Sequence, residues 1–343
     1  MRLVNTVMVV LALLTVGGAL SGCAAPTHLR ASDGARIQGR TYVVVGASSG
    51  FGRGVAERLG ANGANVVLAA RRAELLEEVA GQVRSAGGTA LVVPTDVGRP
   101  EDVARLAEAA LARFGRIDVW MNIAGVGAIG RFEEIPIEDH SRIVQTNLNG
   151  VIYGSHAALR QFKAQGYGIL VNMGSVESQV PLAYHSSYAA TKAGVWALGR
   201  TLNEELRLAG VGKTIKVVTV MPWAADTPFW SHAANYSGHK PRMILMDDPD
   251  KVAEAIVWVS LHPREELPVG WKAQTASTFH TILPDLTERI SADIVHREMA
   301  KGSPDPATTG AVHRPMEEGR GVEGGVRKRM DREDKARKQS GPR

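Results

Sequence analysis

The sequence predicts an α/β fold, a doubly wound parallel sheet in a single domain with a C-terminal extension, on three observations. Short β-branched apolar runs alternate with stretches of helical period, the first run breaks at a glycine cluster, and no internal repeat interrupts the alternation. Strands are expected at Thr41–Val45, Asn65–Ala70, Ala90–Val93, Asp118–Asn122, Gly168–Met173 and Ile215–Val220. They are nearly continuous in apolar residues, as strands covered on both faces must be. Helices are expected between them, at Gly54–Asn62, Glu74–Ala86, Pro100–Phe114, Glu138–Phe162 and Tyr188–Ala209. Another follows from Asp250 to His262, then an amphipathic stretch from Leu283 to Met299. The chain divides into a signal or anchor (1–23), a linker (24–39), the α/β domain (40–265), an extension (266–301) and a disordered basic tail (302–343).

Size and composition agree with a globular core: 343 residues, 44% hydrophobic and 22% charged. The net charge of +5 is concentrated at the end, where Arg327 to Arg343 hold eight Lys/Arg against three Asp/Glu. That is a tail of biased charge, not a nucleic-acid-binding domain. Few large apolar residues follow Gly302, hence the expectation of disorder.

The one cysteine, Cys23, excludes an internal disulfide. Arg2 precedes an uncharged run from Leu3 to Thr27, and Leu20-Ser21-Gly22-Cys23 closes its apolar part. A basic start, a short apolar stretch and small exit residues form a secretory signal. The last four residues resemble a bacterial lipobox, with Cys23 as the lipidated residue. An uncleaved anchor helix and a misassigned start are the alternatives. Each of the first two attaches the chain to a membrane, and the side stays open. A lipobox exports the domain, whereas an anchor followed by Arg30, Arg36 and Arg40 keeps it inside.

Directly after the first strand comes Gly46-Ala47-Ser48-Ser49-Gly50-Phe51-Gly52. Glycines there permit a sharp turn and bring a pyrophosphate to a helix N-terminus, whose free N–H groups attract anions. The second strand ends in Ala70-Arg71-Arg72, with no carboxylate to accept a ribose diol. Two guanidiniums favour a 2′-phosphate, so the cofactor expected is NADP(H). Tyr188 and Lys192 stand four residues apart on one face of a helix. A free phenol titrates near ~10. A neighbouring ammonium favours the phenolate, so the pKa of Tyr188 is expected to fall toward the range of an acid/base catalyst.

These motifs, in their order, resemble the short-chain dehydrogenase/reductase family from Arg40 to about Leu261. Asp96-Val97 resembles the pair that contacts adenine, and Asn122-Ile123-Ala124-Gly125 the family's N-N-A-G with one asparagine replaced. Asn147 stands where the family has its fourth catalytic residue, and Ser175 lies thirteen residues before Tyr188. Pro222 to Thr227 resembles the segment whose threonine meets the nicotinamide side, with Trp223 in place of a glycine. The resemblance implies a Rossmann fold and four catalytic roles. Ser175 binds the substrate oxygen, Tyr188 exchanges its proton, Lys192 holds the ribose and acidifies the phenol, and Asn147 holds a relay water. Cofactor contacts fall on Gly46, Ser48, Ser49, Gly50, Phe51, Gly52, Arg71, Arg72, Asp96, Val97, Asn122, Ala124, Gly125, Tyr188, Lys192, Pro222 and Thr227. Asn122 as a tie between strands, and Asn147 as a buried helix residue, are the structural alternatives.

The reaction this implies interconverts a carbonyl compound and an alcohol; no metal is called for. Phe229, Trp230 and Tyr236 are expected to form an apolar lid, and His185 to face solvent. Partners are a small-molecule substrate and a membrane through the N-terminus, with no nucleic acid and homo-oligomerisation left open. A non-catalytic NADP(H)-binding envelope protein, and an epimerase or dehydratase that retains its cofactor, are the competing readings.

Overall fold

The computed structural model describes residues 27–339; the signal, lipobox or anchor lies outside them. The described part of the expected linker contains a helix, α1 (Ala31–Ile37), whose Ile37 is fully buried. The alternating units then follow: β1 (Thr41–Val45), α2 (Gly50–Ala61), β2 (Asn65–Ala70), α3 (Ala73–Ser85), β3 (Thr89–Pro94), α4 (Pro100–Phe114) and β4 (Val119–Asn122). A two-residue strand, β5 (Ala128–Ile129), precedes α5 (Ile137–Val144) and α6 (Gly150–Gln165). Next come β6 (Gly168–Met173), α7 (Ser186–Leu208), β7 (Ile215–Pro222), the single turn α8 (Phe229–His232) and β8 (Ala234–Asn235). The chain ends in α9 (Pro249–Val259), β9 (Glu266–Val269), α10 (Gly270–Ile282), α11 (Pro284–Met299) and α12 (Val326–Gln339).

Within the described residues the main sheet has seven parallel strands in the order β3-β2-β1-β4-β6-β7-β9. Both faces are buried, and alternate residues of one strand enter different cores. Tyr42 and Val44 pack with Val55, Leu59 and Ile256 on one side. Val43 and Val45 pack with Leu106, Ala158 and Phe162 on the other. Strand order reverses between β1 and β4, which opens a crevice at their C-terminal ends.

Four departures from the sequence reading shape that crevice. Helix α2 begins at Gly50, inside the glycine loop, because positive φ angles at Gly46 (+96°) and Gly50 (+55°) turn the chain early. The helix expected over Glu138–Phe162 is interrupted by a wider π-type turn at Gln145–Asn149. Strand β9 falls in the expected extension yet completes the sheet; Pro268 inside it masks the strand signal, and only an edge position tolerates it.

The fourth departure is the tail. Residues expected to be disordered fold back across the C-terminal ends of the strands and finish in α12. Val312 and Val326 are buried, and Arg242, 5% exposed, pairs with Glu333 and Asp334 of α12. The composition is poor in apolar residues because the tail uses the body's surface as its core.

Candidate active site

The cleft runs from the glycine loop to Tyr188. At its phosphate end, a Cβ on Gly46 would stand 2.6 Å from the backbone nitrogen of Ala124, so only glycine lets the β1 and β4 loops approach. Ser48, Ser49, Gly50, Phe51 and Gly52 line the cleft, and Ser49 leaves α2 without a side-chain cap. Its first N–H groups are therefore available to anions or carbonyls.

Arg71 and Arg72 reach the cleft but are not idle. Arg71 Nη2 donates to the carbonyl of Ala311 at 2.6 Å, and Nη1 to that of His313 at 3.2 Å. Arg72 donates to Met316 O at 2.9 Å and to the hydroxyls of Ser48 and Ser49 at 3.2 and 3.1 Å. Burial lowers both arginine pKa values. Asp96 and Val97 also line the cleft. Burial pushes the Asp96 pKa up, but the hydrogen bonds from Arg142 (2.6 Å) and the Gly98 amide (3.0 Å) outweigh it and hold it low.

Ala124, Gly125, Pro222 and Thr227 line the cleft as expected; Asn122 does not. Its side chain bonds Asn172 at 2.9 Å and accepts from Trp120 at 2.8 Å, tying β4 to β6. Asn147 is also set back from the cleft, fully buried in the π-type turn. Its Oδ1 accepts the Val126 N–H and its Nδ2 donates to the Val126 carbonyl, both at 2.8 Å. It braces the 123–126 loop, the loop that carries Gly125.

At the chemical end, Ser175 caps a short 3-10 turn (Val176–Ser178) by accepting the Glu177 N–H at 3.2 Å, and lines the cleft beside Tyr188 and Lys192. The ammonium of Lys192 does not reach the phenol. Nζ donates to Met173 O at 2.7 Å and lies 5.5 Å from the Tyr188 ring centre. Burial lowers its pKa to about 8, against the opposing charge of Glu177. The expected fall in the Tyr188 pKa is likewise corrected. Burial and then Glu177 raise it, and the Ser175 hydroxyl pulls only partly the other way.

The sequence reading missed Glu177 and misplaced His185. Both are buried, and His185 Nδ1 donates to Glu177 Oε1 at 3.1 Å. Burial disfavours the imidazolium, but Glu177 more than compensates and raises the His185 pKa. Glu177 Oε2 is buried with no hydrogen-bond partner. Glu177 lies in the 3-10 turn after β6 and His185 just before α7, so no single helix or strand relates them and only the fold joins them. The remaining wall is apolar: Leu182, Trp223, Phe229, Trp230 and Met243. Tyr236 is not part of it, because its hydroxyl donates to Asp139 at 2.6 Å elsewhere. No group of metal-ligating side chains occurs among the described residues, and no helix there is long and apolar enough to cross a membrane.

A family model described as short chain dehydrogenase matches residues 40–236. An uncharacterised oxidoreductase of Bacillus subtilis, YxnA, is 32% identical over 282 residues, covering 81% of this chain and 79% of the relative. The 3beta-hydroxysteroid dehydrogenase 1 of Eggerthella lenta is 34% identical over 234 residues, covering 65% and 87%. An alcohol dehydrogenase of Thermococcus sibiricus, solved with 5-hydroxy-NADP, superposes with a TM-score of 0.58 at 29% identity, covering 67% and 96%. Glycine loop, sheet order, Ser175, Tyr188, Lys192 and these matches lead to one conclusion: the chain belongs to the short-chain dehydrogenase/reductase family, oxidoreductases that act on alcohols and carbonyls with a nicotinamide cofactor.

Proposed function

We propose that this chain is an NADP(H)-dependent oxidoreductase that interconverts a carbonyl compound and an alcohol, with Tyr188 as its acid/base. The observation that carries this reading is one continuous cleft, with a glycine loop and two arginines at one end and Ser175, Tyr188 and Lys192 at the other. The residues fit a dinucleotide. The uncapped first turn of α2 and the guanidiniums of Arg71 and Arg72 line one end of the cleft, a donor set suited to its phosphates. When bound, NADP(H) supplies or accepts the hydride.

The protein's part is to hold oxygen and move a proton. In reduction, charge grows on the carbonyl oxygen, and two O–H donors, Ser175 and Tyr188, stabilise it. A phenol whose pKa is raised by burial keeps its proton until that charge appears. The raised value suits the acid role, and the nearby Lys192 cation becomes effective as the phenolate forms. Lys192 would hold the ribose, and Asn147 acts through the loop it braces. The apolar wall suits a bulky apolar alcohol, the class to which a 3β-hydroxysteroid belongs. Membrane attachment through Cys23 or an anchor remains part of the proposal, on the N-terminal sequence alone.

The test is a panel of aldehydes and ketones, including a 3-oxosteroid, offered to the purified chain with NADPH. Turnover with loss of NADPH absorbance is expected on apolar ketones. Tight NADPH binding without turnover anywhere would favour a non-catalytic binding protein. Cofactor that is retained and regenerated would favour an epimerase or dehydratase.

A further inference from the structure

The guanidiniums assigned to the 2′-phosphate, and the Gly50 amide of the glycine loop, are held by one distant piece of the same chain. Besides Arg71 and Arg72, Arg53 Nη1 donates to Arg320 O and the Gly50 amide to Gly321 O, each at 2.9 Å. These carbonyls all belong to residues 311–321, a strap laid across the adenosine half of the cleft. The strap is pinned at both ends. Before it, Asn235 and Thr308 exchange backbone hydrogen bonds at 2.8 and 3.0 Å. After it, the buried carboxylate of Asp226 accepts the N–H groups of Val326 (2.7 Å) and Arg327 (3.1 Å). Helix α12 is then fastened to Arg242 by Glu333 and Asp334.

Neutral carbonyls satisfy the N–H groups of the two guanidiniums, and only the more distant carboxylates of Asp96 (toward Arg71) and Glu317 (toward Arg72) offset their charge. A phosphate does both, through hydrogen bonds about twice as strong. The cleft also continues beneath the strap, walled by Ala311, Pro315 and Met316. A 2′-phosphate needs the guanidinium N–H groups that the carbonyls of Ala311, His313 and Met316 hold, whereas a free 2′-hydroxyl does not. We propose that residues 311–321 are an intramolecular competitor for the 2′-phosphate. NADP(H) displaces the strap from Arg71 and Arg72, while NAD(H) leaves those two contacts in place; the Gly50–Gly321 bond lies at the pyrophosphate end and yields to either cofactor. This rests on the reading of Arg71 and Arg72 as the 2′-phosphate site. The strap thereby sets how strongly the enzyme distinguishes the two cofactors, and an open strap marks the NADP-loaded state.

The experiment compares adenosine 2′,5′-bisphosphate with 5′-AMP on the full chain, reading backbone hydrogen exchange at Ala311 and Val312, whose N–H groups bond His232 O at 2.7 Å and Thr309 O at 3.2 Å. Saturating bisphosphate is expected to increase exchange there several-fold, and 5′-AMP to leave it unchanged. A second measurement uses Glu333→Gln with Asp334→Asn, which loosens α12 without touching the cleft. Bisphosphate affinity is expected to rise by about 3- to 10-fold, since the binding-competent fraction grows, and 5′-AMP affinity to stay level. Bisphosphate that binds while the strap stays protected overturns the competition and leaves the NADP reading standing. Bisphosphate that binds neither protein overturns both.

Discussion

Glu177 and His185 form a buried pair beside Tyr188, with Nδ1 and Oε1 3.1 Å apart and the two aromatic rings edge to face at 6.4 Å. The carboxylate opposes ionisation of the phenol and favours the ammonium of Lys192. Glu177→Gln removes that negative charge, so the phenolate becomes easier to form. In alcohol oxidation, the limb of the kcat/KM profile governed by Tyr188 should move to lower pH. A limb that stays in place, or moves upward, would show that Glu177 is electrostatically silent at the phenol.

Loss of the proton donor should appear in the chemical step alone. Tyr188→Phe is expected to lower kcat by about 10²- to 10⁴-fold, the usual worth of a positioned acid, with NADPH binding retained. Ser175→Ala should cost about 10²- to 10³-fold, as for one oxyanion donor. Steady-state rates with separately titrated cofactor check both. Full activity in Tyr188→Phe would end the mechanism.

Lys192 connects function to stability. Its folded pKa of about 8 lies below the ordinary 10.5, so the unfolded chain binds the extra proton between those values. Stability contributed at this site therefore rises with pH from about 8 to 10.5, as the buried ammonium is neutralised. Lys192→Met should raise the unfolding free energy near pH 7 by an amount on the order of 1–3 kcal/mol, and Tm with it, while abolishing turnover. Its advantage should shrink toward pH 10.5. Melting curves across that range decide it; an advantage independent of pH would place its origin in packing.

Arg71→Asp exchanges a phosphate ligand for a carboxylate that repels phosphate and accepts a ribose diol. The ratio of kcat/KM for NADPH over NADH should fall by about 10- to 100-fold, equivalent to one or two charge-assisted hydrogen bonds. An unchanged ratio would make Arg71 a fastening for the strap and nothing more.

For the N-terminal segment, labelled palmitate should enter the wild-type chain in a bacterial host and be absent from Cys23→Ser. Wild-type chain without label, yet still in the membrane fraction, would favour the anchor.

What the sequence determined by itself was local or short in range. Short continuous apolar strands, the glycine turn after β1, the i,i+4 spacing of Tyr188 and Lys192, and the thirteen-residue step from Ser175 that resembles the family's pattern are all properties of neighbouring residues, and they suffice for the fold class and the chemical end of the cleft. Tertiary structure decided what those groups touch. Lys192 bonds Met173 across nineteen positions, and Arg71 bonds Ala311 across 240. The tail's polar composition predicts disorder because nothing in it announces a backbone that Arg53, Arg71, Arg72, a glycine amide and Asp226 will satisfy. Such contacts depend on which surfaces meet when the sheet closes, and no periodicity along the chain records that.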